Sequence, residues 1–181
     1  MDLSATPLYV TSLEEIYWGG TLMAISMAIH AFGMLSVLRV QDTLKRRFGP
    51  GRAFAKGMLR LILASWLILA VHLLEVFVWA TFFYWKGAIN SPHANSSLSY
   101  YFSLNEYTTL GSDYDLILHW RLLEGMIAVT GLMTFAWSTG VLFSLAQDFQ
   151  NQQLPALLPE RENGQPERVA PSSAPDPSSP E

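Results

Sequence analysis

Cysteine is absent from the 181 residues, which excludes a disulfide framework, thiolate metal sites and cysteine catalysis. Charge is scarce: 14% of the residues are Asp, Glu, Lys or Arg, against about 25% in an average soluble chain. Positive charge is the scarcer sign, with 11 Lys and Arg against 15 Asp and Glu. That balance offers no global basic surface, so no nucleic-acid partner is expected. No apolar stretch carries an Arg ladder, which argues against a voltage sensor. No Ser-His, Asp-Asp or metallopeptidase spacing stands on those stretches either, so the chain does not read as an enzyme.

What the chain has instead is apolar length. Half of its residues are hydrophobic, gathered into three blocks at about 18–38, 61–85 and 122–145. Each block meets the roughly 20 residues a helix needs to cross the hydrocarbon of a bilayer. In lipid the backbone must satisfy its own hydrogen bonds, so helix is the expected conformation. The fold class is therefore an all-α membrane protein with three transmembrane helices. The first block lacks a basic leader, since Asp2, Glu14 and Glu15 precede it, and it does not read as a signal peptide.

Basic residues orient the spans. Arg39, Lys45, Arg46, Arg47, Arg52, Lys56 and Arg60, seven of the eleven, fall in the first connection. The positive-inside rule puts that connection in the cytoplasm, the 1–17 segment outside and the C-terminus inside. From residue 148 onward the chain holds seven of its ten prolines and ends Ser-Pro-rich. Residues 148–181 are expected to be a disordered cytoplasmic tail.

The connection between the second and third blocks is unusual for an exterior loop. It starts polar, then turns aromatic at Leu98, Tyr100, Tyr101, Phe102, Leu104 and Tyr107. Ser96 or Ser97 can cap a helix there, about three turns long and too short to span. Thr108-Thr109-Leu110-Gly111-Ser112-Asp113-Tyr114-Asp115 follows. A half-helix and then irregular backbone is a re-entrant loop, here about 97–115, allowed at bilayer depth only where protein buries it or it lines a wet cavity. The negative end of the half-helix dipole favours a cation, and rings of carbonyls or carboxylates make cation filters.

Tyr101-Phe102-Ser103-Leu104 leading into Thr108-Thr109-Leu110-Gly111, then Trp120-Arg121, Glu124 and the stretch Gly131 to Phe143, resembles the pore module of small bacterial ion-channel proteins of the two pore domain potassium channel family. The likeness covers residues 18–147, a transmembrane channel-like domain. It implies a homotetramer in a bacterial inner membrane, a passive channel with potassium as the permeant monovalent cation, and a filter made by Thr108, Thr109, Leu110, Gly111, Ser112 and Asp113. The family continues this motif with Tyr-Gly-Asp, where this chain has Ser112, Asp113 and Tyr114. An acidic ring at the mouth attracts cations without choosing potassium over sodium. Glu106, Asp115 and Glu124 are expected at the pore mouth or as support for the loop. Gly131 reads equally as a hinge of the pore-lining helix and as a close-packing residue.

Three ionisable residues lie deep in the spans. At about 1.5 Å per residue, His30 sits roughly 18 Å from the outer end of the first span, and His72 and Glu75 sit roughly 20 and 15 Å from that of the second. His72 and Glu75 share a helix face. His and carboxylate are suitable metal ligands, but three ligands lacking a fourth favour a polar clasp between the spans, so no resident metal or other cofactor is expected. The alternative to the channel is a non-conducting membrane protein that binds a metal or a partner through these residues. Trp18, Trp79, Tyr84, Trp85 and Trp120 are expected to form an interfacial aromatic belt.

Overall fold

A computed structural model describes residues 9–48 and 54–157. Four helices account for most of it: α1 (Leu13–Phe48), α2 (Phe54–Lys86), α3 (Ser96–Tyr107) and α4 (Leu122–Leu157), with a single 3-10 turn at Leu118–Trp120. α1, α2 and α4 are long and apolar enough to cross a membrane. The chain is an integral membrane protein of all-α fold, with a short helix between its second and third spans. All three long helices outrun the apolar blocks. α4 continues to Leu157, ten residues into the segment expected to be a tail. Residues 158–181 lie outside the described residues, as do 1–8 and 49–53.

The buried stripes explain why hydropathy alone hides the packing. On α1 the buried positions are Glu15, Gly19, Leu22, Ser26, His30, Met34, Val37 and Gln41, a step of three or four residues that keeps one face inward. That face includes the polar Glu15, Ser26, His30 and Gln41, whereas the exposed side carries Ile25, Phe32, Leu35 and Leu38. Lipid is as apolar as leucine, so the outside of such a bundle has no reason to be polar. α4 repeats the pattern with Leu123, Ile127, Thr130, Gly131, Thr134 and Ser138 facing in.

Local capping sets the helix ends. Ser12 Oγ accepts from the Glu15 amide at 3.1 Å, and Glu15 Oε2 accepts from the Ser12 amide at 3.0 Å, a reciprocal capping box. The other oxygen of Glu15 accepts from the Leu122 amide at 3.1 Å, so one buried carboxylate joins the starts of α1 and α4. Asn95 caps α3 through a 2.8 Å bond from the Leu98 amide, one residue before the serines expected to do so. Gly87, at φ +57°, ends α2 in the left-handed conformation that glycine adopts without steric cost. Main-chain bonds from Ile117 to Ala88 (2.8 Å) and from Asn90 to Asp115 (2.9 Å) then clip together the two ends of the connection that carries α3.

Two apolar clusters form the core. The larger joins Val76, Trp79, Phe82, Phe83, Phe102, Tyr107, Trp120 and Leu123 near the ends that carry α3. Phe83 meets Phe102 edge-to-face at 5.5 Å, an arrangement the ring quadrupoles favour. The smaller cluster, Met34, Val37, Ala64 and Ile68, lies toward the opposite end. Trp79 belongs to the first: it is fully buried and its indole N–H donates to Ser26 Oγ at 3.1 Å. The expected aromatic belt is corrected there. Trp18, Trp85 and Trp120 do gather, around the Lys86 ammonium at 4.8 to 5.3 Å from their ring centres.

Candidate metal centre

Between the two apolar clusters every helix contributes a polar side chain to one point. α1 brings His30, α2 brings His72 and Glu75, α3 brings its last residue, Tyr107, and α4 brings Thr134 and Ser138. His30 Nδ1 lies 2.8 Å from Glu75 Oε1. The Tyr107 hydroxyl donates to Glu75 Oε2 at 2.5 Å and lies 2.9 Å from His72 Nδ1. Ser138 Oγ closes the ring, 2.9 Å from His72 Nε2 and 3.2 Å from His30 Nε2. Thr134 Oγ1 stands beside the phenol at 2.6 Å. His30 and Glu75 are 0% exposed and His72 is 5% exposed, so water does not screen these groups.

Titratable residues at such depth are costly unless they pair or serve a site. Here they do both. One donor atom from each of His30, His72 and Glu75 can be chosen so that all three lie within 4.8 Å of one another. A tetrahedral site with metal–ligand bonds of about 2.0–2.2 Å holds its ligands about 3.4 Å apart, so modest side-chain movement completes it. The expectation against a bound metal is therefore corrected: the buried His30/His72/Glu75 cluster is suited to metal coordination. Sequence depth gave the three residues similar levels, and the packing of α1 on α2 turns that coincidence into a cluster. The expected clasp is present, since the His30 Nδ1–Glu75 Oε1 contact joins α1 and α2.

Sequence reasoning missed Tyr107, Thr134 and Ser138. A hydroxyl in an apolar span carries no hydropathy signal, because Ser and Thr there routinely bond to their own helix, as Thr130, Thr134 and Thr139 also do. The depth count applied to hydroxyls would have found them: Thr134 and Ser138 lie roughly 18 and 24 Å along α4 from Leu122.

Gly131 makes room for this arrangement. A Cβ built there would overlap the carbonyl oxygen of Tyr107, so the glycine lets the end of α3 pack directly on α4.

Apart from Glu106, within α3, the remaining predicted site residues lie beyond Tyr107. Thr108, Thr109, Leu110, Gly111 and Asp113 are exposed, and Ser112 is partly buried. Thr109 and Gly111 have φ of +61° and +77°, so a β-branched residue occupies a left-handed position that normally disfavours it. The amides of Thr108, Thr109, Leu110 and Gly111 all turn back to carbonyls of Leu104, Asn105 and Glu106. Glu124 accepts from the Leu116 amide at 2.7 Å, supporting the far side of the loop. Glu106 is held above the ordinary carboxylate range by burial first, then by the negative charges of Glu124 and Asp115, against the opposing hydrogen bonds from Ser112.

Fold and site together define a helical membrane protein with a buried His/His/Glu cluster poised for metal coordination. No family model, curated protein or solved structure matches the chain. The likeness to potassium-channel pore modules therefore rests on the residues quoted above and on nothing further.

Proposed function

We propose that this protein is built around a buried metal centre, in which His30, His72 and Glu75 hold a first-row transition-metal dication between spans one and two. The observation that carries this reading is the convergence of the three donor groups within 4.8 Å at a buried point. Imidazole suits zinc, copper, iron and nickel, and a carboxylate adds charge without softness. Calcium and magnesium prefer all-oxygen shells, so they are disfavoured here. The test is the metal content of purified protein after exposure to Zn2+ and removal of excess. About one equivalent per chain is expected in the natural protein and none above background in Glu75→Gln. Equal content in both, or none in either, overturns the reading.

A second reading, the tetrameric cation channel in a bacterial inner membrane with its N-terminus outside, draws on the loop. Thr109 and Gly111 have left-handed backbone in an exposed segment after a half-helix, and its amides are spent on that helix. None of the carbonyls of Thr108 to Gly111 accepts a backbone hydrogen bond among the described residues. Exposed carbonyls of this kind suit a cation pathway when four copies face one axis. Potassium and sodium flux through liposomes, with Gly111→Ala beside the natural protein, tests it. Flux lost in the variant supports a pore, and no flux above empty liposomes removes it.

A further inference from the structure

The geometry points to Tyr107 as a fourth, oxygen ligand of the metal centre, with Ser138 presenting both imidazoles through Nδ1. This rests on the metal reading of His30, His72 and Glu75 and deepens it by giving the coordination set, two nitrogens and two oxygens.

Ser138 is the first part of the case. A hydroxyl has one donor and two acceptor lone pairs, and this one lies between two imidazole Nε2 atoms at 2.9 and 3.2 Å. When it accepts from both, each ring carries its proton on Nε2. Each Nδ1 lone pair then faces the opposite side of the network, where Glu75 and Tyr107 stand. Ligating histidines are typically held this way, the non-ligating N–H bonded to an oxygen that fixes tautomer and ring orientation.

The opposite side supplies the second part. Three short contacts meet there: His30 Nδ1 to Glu75 at 2.8 Å, His72 Nδ1 to Tyr107 at 2.9 Å, and Tyr107 to Glu75 at 2.5 Å. The phenol oxygen therefore lies within hydrogen-bond distance of two of the three candidate ligands, at the same point as their donor atoms. A dication there would take the place of the protons that bridge these contacts in the metal-free chain. On binding, the phenol O–H breaks, its oxygen bonds the metal, and the proton passes to solvent.

The coordination number follows. Two histidines, one carboxylate and one phenolate fill four positions, the closed pattern of structural sites rather than the three-plus-water pattern of catalytic ones. The consequence is mechanical. Tyr107 is the last residue of α3, and Thr108 begins the exposed loop. Metal in the centre ties the start of that loop to α1 and α2.

Copper is the probe, because a phenolate bound to Cu2+ gives a visible charge-transfer band that imidazole and carboxylate do not. Full-length protein in detergent is stripped of metal, then titrated with Cu2+. The natural protein is expected to bind one equivalent and develop the band. Tyr107→Phe is expected to keep one equivalent at tenfold or weaker affinity and to lack the band. Ser138→Ala is expected to keep the band with affinity lowered about 10–100-fold, as for loss of an outer-shell partner.

A band of unchanged strength in Tyr107→Phe overturns its ligation while leaving the three-residue centre standing. Unchanged affinity in Ser138→Ala removes its positioning role. Copper binding by the natural protein no greater than by Glu75→Gln sinks the metal centre itself, and a purely protonated network replaces it. Should Tyr107→Phe fail to fold, resonance Raman of the copper-loaded natural protein decides alone: phenolate modes support the ligand, and their absence overturns it.

Discussion

Gly131 on α4 packs against the backbone of Tyr107, so closely that a Cβ at position 131 would overlap the Tyr107 carbonyl oxygen. The obstacle is main chain at a helix end, not a side chain that can swing away. Gly131→Ala is therefore expected to push α3 off α4 and lower stability by about 1–3 kcal/mol, the usual cost of overpacking. Gly125 is the control: nothing lies within 4 Å of a Cβ there, and alanine is the better helix former. Gly125→Ala should leave the unfolding midpoint unchanged or slightly higher. Equal effects of the two substitutions would contradict the close approach.

Glu15 lies at the entrance of α1 and is 0% exposed. It accepts from the amides of Ser12 and Leu122 and from the Tyr9 hydroxyl. Glu15→Ala leaves the amides of two helix starts without their acceptor, a loss of about 2 kcal/mol for charge-assisted bonds. Glu14, its neighbour, pairs with Lys86 and His119 while half-exposed. Its replacement by alanine should cost about 1 kcal/mol or less. Thermal unfolding of both variants in one detergent makes the comparison. A larger loss at Glu14 would reverse the assignment.

Glu106 gives the connection a pH dependence. Burial, then Glu124 and Asp115, raise its carboxyl above the ordinary 4.5, while Ser112 bonds oppose the shift. Between the ordinary and the raised value the folded chain holds more protons than the unfolded one. Stability therefore falls as pH rises from about 4.5 through the folded value. This contribution is fully present below that window and lost above it. Glu106→Gln cannot ionise and should flatten this descending limb, with greater stability at neutral pH. Unfolding midpoints measured across the acid range for both proteins provide the check. Parallel curves would exclude Glu106 as the source.

How much of this was legible in the sequence follows from which forces leave a linear trace. Span length is written in consecutive apolar residues, so α1, α2 and α4 were readable, although their ends were not. Helical extensions such as Gln147 to Leu157 are polar and look like tail. The levels of His30, His72 and Glu75 were readable because the helical rise is constant. Their convergence was not, since which face of α1 meets α2 depends on small and polar residues that hydropathy ignores, such as Ser26 against Trp79 and Gly33 against Val71. Tyr107 was read as one more aromatic of a half-helix. Its hydroxyl contacts Glu75, 32 residues away, and only the fold brings them together. Asn95 was passed over for Ser96 because both residue types cap helices equally well.

Glu75 joins three helices: it lies on α2, meets His30 of α1 at 2.8 Å and accepts from Tyr107 of α3 at 2.5 Å. Removing one member of a buried pair leaves its partner desolvated and alone, at a cost of about 3–5 kcal/mol. Glu75→Ala is expected to fall in that range even without metal, and His30→Ala should fall below it, because the Tyr107 bond survives. The double variant separates pairing from packing. Where two residues interact directly, their separate losses exceed the combined one by about 0.5–3 kcal/mol. A double-mutant cycle on metal-stripped protein, read by chemical unfolding in a fixed detergent, should give coupling of that size. A coupling near zero would mean that the His30–Glu75 contact contributes nothing without metal, and that the clasp between α1 and α2 exists only when the centre is loaded.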